Sequence, residues 1–267
     1  MTLSGSPASA VTYQLTTTYL CDAPVLGDDQ PFTGTLTFDA PSSVPAGSTV
    51  TARPIGISVT IPDATVQKAR DAGVTAISAT SSNVTYRVGS KTVPVTGVSI
   101  PKTDIPETGD MVIATQATAG QFVAGVAGQY PVKVPQSFTL AAKAYSIITL
   151  DVTVSCTLAP EAADLLGTLT VTKVASTTAV KLLNPPITTS KQAKVRVIVR
   201  AAGLVPTGKV VAKLGTKILK SGTLSGGKVQ LLLPKLTAGD KKVKFIYKGN
   251  PSVKPSSKVL LIRVTRG

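Results

Sequence analysis

The sequence is a succession of short apolar runs, each of strand length and each ended by Gly, Pro or a small polar residue. Apolar and polar residues tend to alternate within the runs, as in Ile55–Ile61, Phe138–Ala142 and Lys194–Arg200. A period of two places successive side chains on opposite faces of a strand, and the runs recur about every 8–12 residues, a spacing typical of antiparallel sheets. We therefore predict an all-β protein built from two β-sandwich-like domains.

One segment, residues 62–73, departs from this period. Its central residues favour a helix, Asp63 is suited to the N-cap position, and Gly73 is suited to the residue that follows the helix. The sequence therefore predicts one short helix in the first domain.

The charge of the chain is distributed unevenly. Residues 1–167 contain eight Lys and Arg against twelve Asp and Glu, whereas residues 168–267 contain twenty Lys and Arg against a single acid, Asp240. Such an asymmetry indicates two domains with different surfaces. We predict a flexible arm over residues 1–10, a first β domain over residues 11–172 and a basic second domain over residues 175–267. The seven candidate strands of the second domain match the count of an immunoglobulin-like sandwich.

The chain contains no histidine and two cysteines. The absence of His excludes His-based acid–base catalysis, and two Cys are too few for a Cys-only zinc site or an iron–sulfur cluster. Asp104, Glu107 and Asp110 have a spacing that fits no EF-hand calcium loop. We therefore expect a protein that is not an enzyme, with no catalytic residue, no cofactor and no metal site.

Cys21 and Cys156 lie in similar sequence contexts near the two ends of the first domain. We interpret them as one disulfide that joins the first strand of that domain to its last, which indicates an oxidising compartment. The alternative is a pair of buried free thiols in a cytosolic protein. No apolar run reaches the roughly 18 residues that a membrane-spanning helix needs, so we expect no membrane span.

Two rows of cationic side chains follow from the period of two in the second domain. Lys194, Arg196 and Arg200 share one face of their strand, as do Lys242, Lys244 and Lys248 of theirs, while the apolar residues between them face inward. These six residues are the candidate binding site for an anionic polymer. The alternative is that the charge serves solubility and protects sheet edges.

Five landmarks of the second domain appear in the order found in bacterial immunoglobulin-like repeats of the Big type, which this domain resembles. The landmarks are Val205–Val210, Gly222–Val229, Leu236–Gly239, Tyr247–Asn250 and Pro255–Ser257. The first domain resembles a secreted actinobacterial domain of unknown function, on the basis of Tyr19-x-Cys21, Ala40–Ser48, Ile61–Gly73 and Val154–Leu158. The two resemblances imply a secreted protein of the bacterial cell surface and supply no catalytic residue.

The expected function is that of an extracellular, non-catalytic structural or adhesive protein of the bacterial cell envelope. Its partner would be an anionic envelope polymer or a neighbouring copy of the same chain. Nucleic acid is a weaker candidate because no exposed aromatic side chains alternate with the cationic ones and no nucleic-acid recognition fold is evident. The alternative is a self-assembling subunit of a surface filament, coat or phage-like tail, held together by acidic-to-basic contacts.

Overall fold

The structure is a computed structural model that describes residues 10–24 and 26–267. The predicted arm over residues 1–10 lies outside the described residues except for Ala10, which already belongs to the first strand. Within the described residues there are 23 strands and one helix.

The first fifteen strands and the helix are long and regular in most cases, with burial alternating along strands such as β8 and β13. They are β1 (Ala10–Ala23), β2 (Gly27–Pro41), β3 (Ser43–Pro45), β4 (Thr49–Val50), β5 (Arg53–Ile61), α1 (Asp63–Asp71), β6 (Ala76–Ser81), β7 (Thr85–Val88), β8 (Lys91–Thr96), β9 (Val98–Asp104), β10 (Met111–Ala119), β11 (Phe122–Val123), β12 (Gly128–Lys133), β13 (Ser137–Tyr145), β14 (Thr149–Leu158) and β15 (Leu165–Thr172).

The last eight strands follow without a further helix. They are β16 (Ser176–Leu182), β17 (Ile187–Thr188), β18 (Lys194–Ala201), β19 (Gly208–Leu214), β20 (Lys217–Leu224), β21 (Lys228–Leu232), β22 (Gly239–Tyr247) and β23 (Ser256–Thr265).

The chain divides into two compact units. The first unit comprises the described residues up to Val44 together with Thr49–Val123 and Gln129–Thr170. The second unit comprises Val171–Gly267 and two short segments of the preceding chain, Pro45–Ser48 and Ala124–Gly128.

The first unit contains one large curled sheet. Eight of its strands are consecutive neighbours, in the order β10-β5-β2-β1-β14-β13-β6-β9, and all seven of these pairings are antiparallel. The sheet curls until β9, at one end of this series, lies against β10 at the other. There Thr115 Oγ1 of β10 donates a hydrogen bond to the carbonyl oxygen of Ser99 on β9. The eight strands therefore surround a common interior.

Helix α1 is the predicted helix, but its start differs from the expectation. Pro62 is the N-cap residue and makes no side-chain cap, whereas Asp63 is the first helical residue and its carboxylate pairs with Arg70. Pro62 has the extended backbone of an N-cap residue, with φ −62° and ψ 149°, so Asp63 lies one residue later, within the first turn, where its carboxylate pairs with Arg70. At the other end Gly73 has φ +73° and donates to Arg70 O, and Val74 donates to Ala69 O. These two bonds form a Schellman motif, as expected for glycine at that position.

The second unit is a sandwich of two sheets. One sheet has the order β16-β18-β21 and the other has the order β17-β23-β22-β19-β20. Side chains from both sheets fill the core, of which the largest fully buried are Tyr247, Phe245, Ile187, Leu231, Leu233 and Ile262. The all-β fold class with one short helix and an immunoglobulin-like second domain is thus confirmed. No helix among the described residues has the length and apolar character needed to cross a membrane.

Candidate cationic binding faces

The first predicted row lies on the outer face of the three-stranded sheet. In β18 the side chains of Val195, Val197 and Val199 are buried in the core, which turns the side chains of Lys194, Arg196 and Arg200 toward solvent. Valine favours the extended backbone, and its alternation with Lys and Arg fixes which face of the strand is buried. The period of two therefore places this row as the sequence indicated.

Strand pairing adds two further cations to this face. Lys181 of β16 lies directly opposite Arg196, and Lys228 of β21 lies directly opposite Ile198. Both lysines are exposed. Sequence reasoning missed them because their proximity to β18 depends on which strands pair and in which register, and neither follows from the local pattern. We call Lys181, Lys194, Arg196, Arg200 and Lys228 the three-stranded face.

The second predicted row lies on the outer face of the five-stranded sheet. In β22 the side chains of Val243, Phe245 and Tyr247 are fully buried, while Lys242 and Lys244 are exposed. Lys248, which directly follows the strand, is exposed as well.

The second row has both cationic and apolar side chains of neighbouring strands beside it. Lys213 of β19 lies opposite Lys244, and on the other side of β22 Val259 and Leu261 of β23 lie opposite Lys244 and Lys242. Val259 and Leu261 are about half exposed. We call Lys213, Lys242, Lys244 and Lys248 the five-stranded face.

The structure does not bring the two predicted rows together. They belong to different sheets of one sandwich, and each points away from the core that both sheets cover. The six predicted residues therefore form two separate cationic surfaces and not one continuous patch.

The two faces differ in their access to negative charge. Asp240, the single acid after residue 167, lies opposite Arg263 in the β22–β23 pair and accepts a hydrogen bond from it at 3.2 Å. This ion pair lies within the five-stranded sheet, so no acid of β16, β18 or β21 offsets the three-stranded face.

The predicted disulfide is present in the first unit. Cys21 of β1 and Cys156 of β14 are direct cross-strand partners, and their sulfur atoms are bonded. Both residues are almost fully buried. Within the described residues, no group of three or more His, Cys, Asp or Glu side chains is arranged to hold a metal ion.

A family model described as a family of unknown function, DUF6801, matches residues 18–167. The chain belongs to this family. The part matched by the DUF6801 model contains both cysteines, the end of β1 and the other seven strands that surround the interior of the first unit. The two cationic faces lie outside the match. The expected resemblance of the first domain to a domain of unknown function is confirmed at that level, while its actinobacterial character and the Big-type resemblance remain predictions.

No curated protein matches this DUF6801 chain. Among solved structures, the chain is similar to a "Putative membrane anchored protein" from Corynebacterium diphtheriae, at 15% identity and a TM-score of 0.42. That similarity covers 97% of this chain, which spans 59% of the length of the Corynebacterium protein.

Two further solved structures show weaker likeness. Fibronectin(III)-like modules of Clostridium thermocellum CbhA have 14% identity and a TM-score of 0.30, with 86% of this chain and 94% of that chain covered. A beta-glucuronidase from Ruminococcus gnavus has 8% identity and a TM-score of 0.28, with 96% and 44% covered. Likeness this remote carries no information about function.

Proposed function

We propose that the protein is a non-catalytic, extracellular protein of the bacterial cell envelope that binds an anionic polymer through the three-stranded face. The disulfide supports an oxidising compartment, because such bonds persist outside the reducing cytosol. The second unit supplies the binding surface and the first unit carries the disulfide.

The observation that carries the proposal is the direct opposition of Lys181 and Arg196 across the β16–β18 pair. Like charges placed directly opposite each other destabilise a sheet. An anionic partner that lies across these strands would attract both cations and offset the repulsion between them. Arg196 can in addition bind a phosphate or carboxylate group through two parallel hydrogen bonds.

The five-stranded face is a second candidate surface within the same proposal. It contains a like-charge pair too, Lys213 opposite Lys244, but Lys213 is only partly exposed. Two exposed apolar residues of β23, Val259 and Leu261, lie opposite its lysines, against one, Leu232, on the three-stranded face. We expect it to contribute less to the binding of a hydrophilic polymer.

The test is binding of the full-length protein to immobilised long-chain polyphosphate and to immobilised polyglutamate across a salt series. We expect binding to weaken steeply with salt, because the screening length falls from about 10 Å at 0.1 M to about 3 Å at 1 M. The two polymers distinguish a preference for phosphate from a preference for carboxylate.

Three charge-reversal variants locate the site. The first carries Lys181→Glu, Arg196→Glu and Arg200→Glu, and the second carries Lys242→Glu, Lys244→Glu and Lys248→Glu. The matched control carries Lys173→Glu, Lys235→Glu and Lys254→Glu, which changes the net charge equally at exposed positions between strands. We expect at least tenfold weaker binding in the first variant than in the control.

Equal weakening in all three variants would show that only net charge matters, as in a solubility device. Binding that does not change with salt would contradict the proposal outright. Sedimentation of the wild-type protein over a concentration series distinguishes a polymer partner from neighbouring copies of the chain. Growth into large assemblies that is lost in the charge-reversal variants would favour neighbouring copies as the partner.

A further inference from the structure

The interior of the first unit contains an apolar cavity of about 200 Å³. Each of the eight strands of the curled sheet, and helix α1, contributes side chains to its lining. A closed arrangement of eight strands has an interior that is either just filled by side chains or able to hold one small ligand. A cavity of about 200 Å³ indicates that the interior of this unit is of the second kind, with room for one small ligand.

The burial pattern of the strands shows the same gap. The inward side chains of β5 are Ile55, Ile57, Val59 and Ile61, and those at the two ends are buried whereas Ile57 and Val59 in the middle are only half-buried. Protein interiors are close-packed with few voids, so inward side chains in the middle of a strand are normally buried. The accessible surface of Ile57 and Val59 therefore faces the cavity that they line.

Gly34 of β2 is one cause of the empty space. It lines the cavity between Phe32 and Leu36, which are the preceding and following inward residues of the same strand. Its backbone does not have the positive φ that favours glycine, and a Cβ built on it would have Thr17 O, at 4.0 Å, as its nearest neighbour. The backbone thus accepts the Cβ of a larger residue here, and its side chain would project into the cavity.

The polar side chains among the lining residues are already engaged. Tyr19 donates to Pro135 O, Ser78 bonds the Tyr145 hydroxyl, and Thr115 donates to Ser99 O. Thr65 donates to Gln30, and Lys143 donates to Asp151. The lining therefore presents hydrocarbon and the disulfide sulfurs, and a buried charge would find no compensating partner there.

We propose that this cavity is a binding site for the hydrocarbon chain of a small apolar or lipid-like molecule. An apolar cavity of comparable volume, about 150 Å³ and lined by Leu, Ile and Phe, stays free of water and binds benzene. A hydrocarbon chain entering this cavity would gain contacts with the lining without displacing bound water. The proposal is independent of the cationic faces, because it concerns the other unit and a different force.

The experiment measures binding of the uncharged dye N-phenylnaphthylamine to the full-length protein by its fluorescence, followed by displacement. Decane, decanol and decanoate serve as competitors that share one chain and differ in the head group. We expect decane and decanol to displace the dye. Competition by decanoate as well would indicate that the head group remains outside the cavity in solvent.

Gly34→Leu is the decisive variant, because its side chain fills the cavity. We expect at least tenfold weaker dye binding and a raised Tm, together with loss of the stabilisation that decanol gives to the wild-type protein. The matched control is Gly56→Leu on β5, which also lacks a positive φ but lies exposed on the outer face and does not line the cavity. This control should bind the dye as the wild type does.

Ala142→Leu, on β13, gives a second filling variant should Gly34→Leu fail to fold, since Ala142 also lines the cavity. Failure of the wild-type protein to bind the dye would overturn the proposal. Undiminished binding in a folded Gly34→Leu or Ala142→Leu protein would overturn it equally, because the dye would then bind elsewhere.

Discussion

Reduction of the Cys21–Cys156 disulfide should destabilise the first unit without changing its native packing. The two cysteines are 135 residues apart in sequence and are direct neighbours across the β1–β14 pair. The chain-entropy relation for a loop of this length gives a loss of about 5 kcal/mol in the free energy of unfolding on reduction. The reduced thiols remain small apolar groups within the core, so the effect arises in the unfolded chain.

The assay is urea unfolding of the oxidised and the reduced protein under otherwise identical conditions. With an m-value of about 2 kcal/mol per M, the midpoint of the first unit should fall by about 2.5 M. Tyrosine fluorescence reports mainly on this unit, because five of the six tyrosines precede residue 167 and only Tyr247 follows it. Circular dichroism reports on both units together.

The second unit provides the internal reference, since no cysteine occurs after Cys156. Its transition should have the same midpoint in both redox states. An unchanged midpoint for the first unit would refute the entropic argument and indicate that the unfolded chain already holds the two cysteines close together. A joint shift of both transitions would show instead that the two units unfold as one.

Two further predictions concern independence and pH. A fragment of residues 175–267 should unfold cooperatively as a β protein in a urea titration, because the second unit has its own core; a fragment without a transition would mean that its stability depends on the first unit. Burial raises the pKa of Tyr19, and it raises the pKa of Tyr86 to about 12. Tyrosine in the unfolded chain has a pKa of about 10, so the stability of the first unit should be complete below pH 10 and fall as the pH rises from about 10 to 12. Urea midpoints across that range test this, with Tyr86→Phe as the variant whose dependence on pH should be smaller.

Local pattern was sufficient for features that depend on neighbouring residues along the chain. The period of two gave the buried and exposed faces of β18 and β22, and the glycine at the end of α1 gave its Schellman motif. The predicted start of the helix was wrong for a local reason as well: Asp63 is not the N-cap residue, because Pro62 occupies that position and the carboxylate of Asp63 pairs with Arg70.

Features that depend on distant parts of the chain did not follow from the sequence. Lys181 and Arg196 become neighbours only through the register of β16 with β18, and the two predicted rows are separated only because β18 and β22 belong to different sheets. The cavity is the strongest example. Alternation shows that Phe32, Gly34 and Leu36 point inward, but the space left over depends on how far the sheet curls before β9 reaches β10.

The two proposed sites depend on different forces, and this difference decides how they are to be separated. Attraction at the three-stranded face is Coulombic and acts across water, so it weakens as the Debye length shortens from about 8 Å at physiological ionic strength. Binding in the cavity depends on the burial of apolar surface, at about 25 cal/mol per Å², and persists or strengthens in salts that are excluded from the protein surface. Sodium sulfate should therefore weaken the binding of polyphosphate and preserve the binding of decanol in the same protein. A loss of decanol binding in sulfate would show that burial of apolar surface does not hold the molecule, and the cavity proposal would then be wrong.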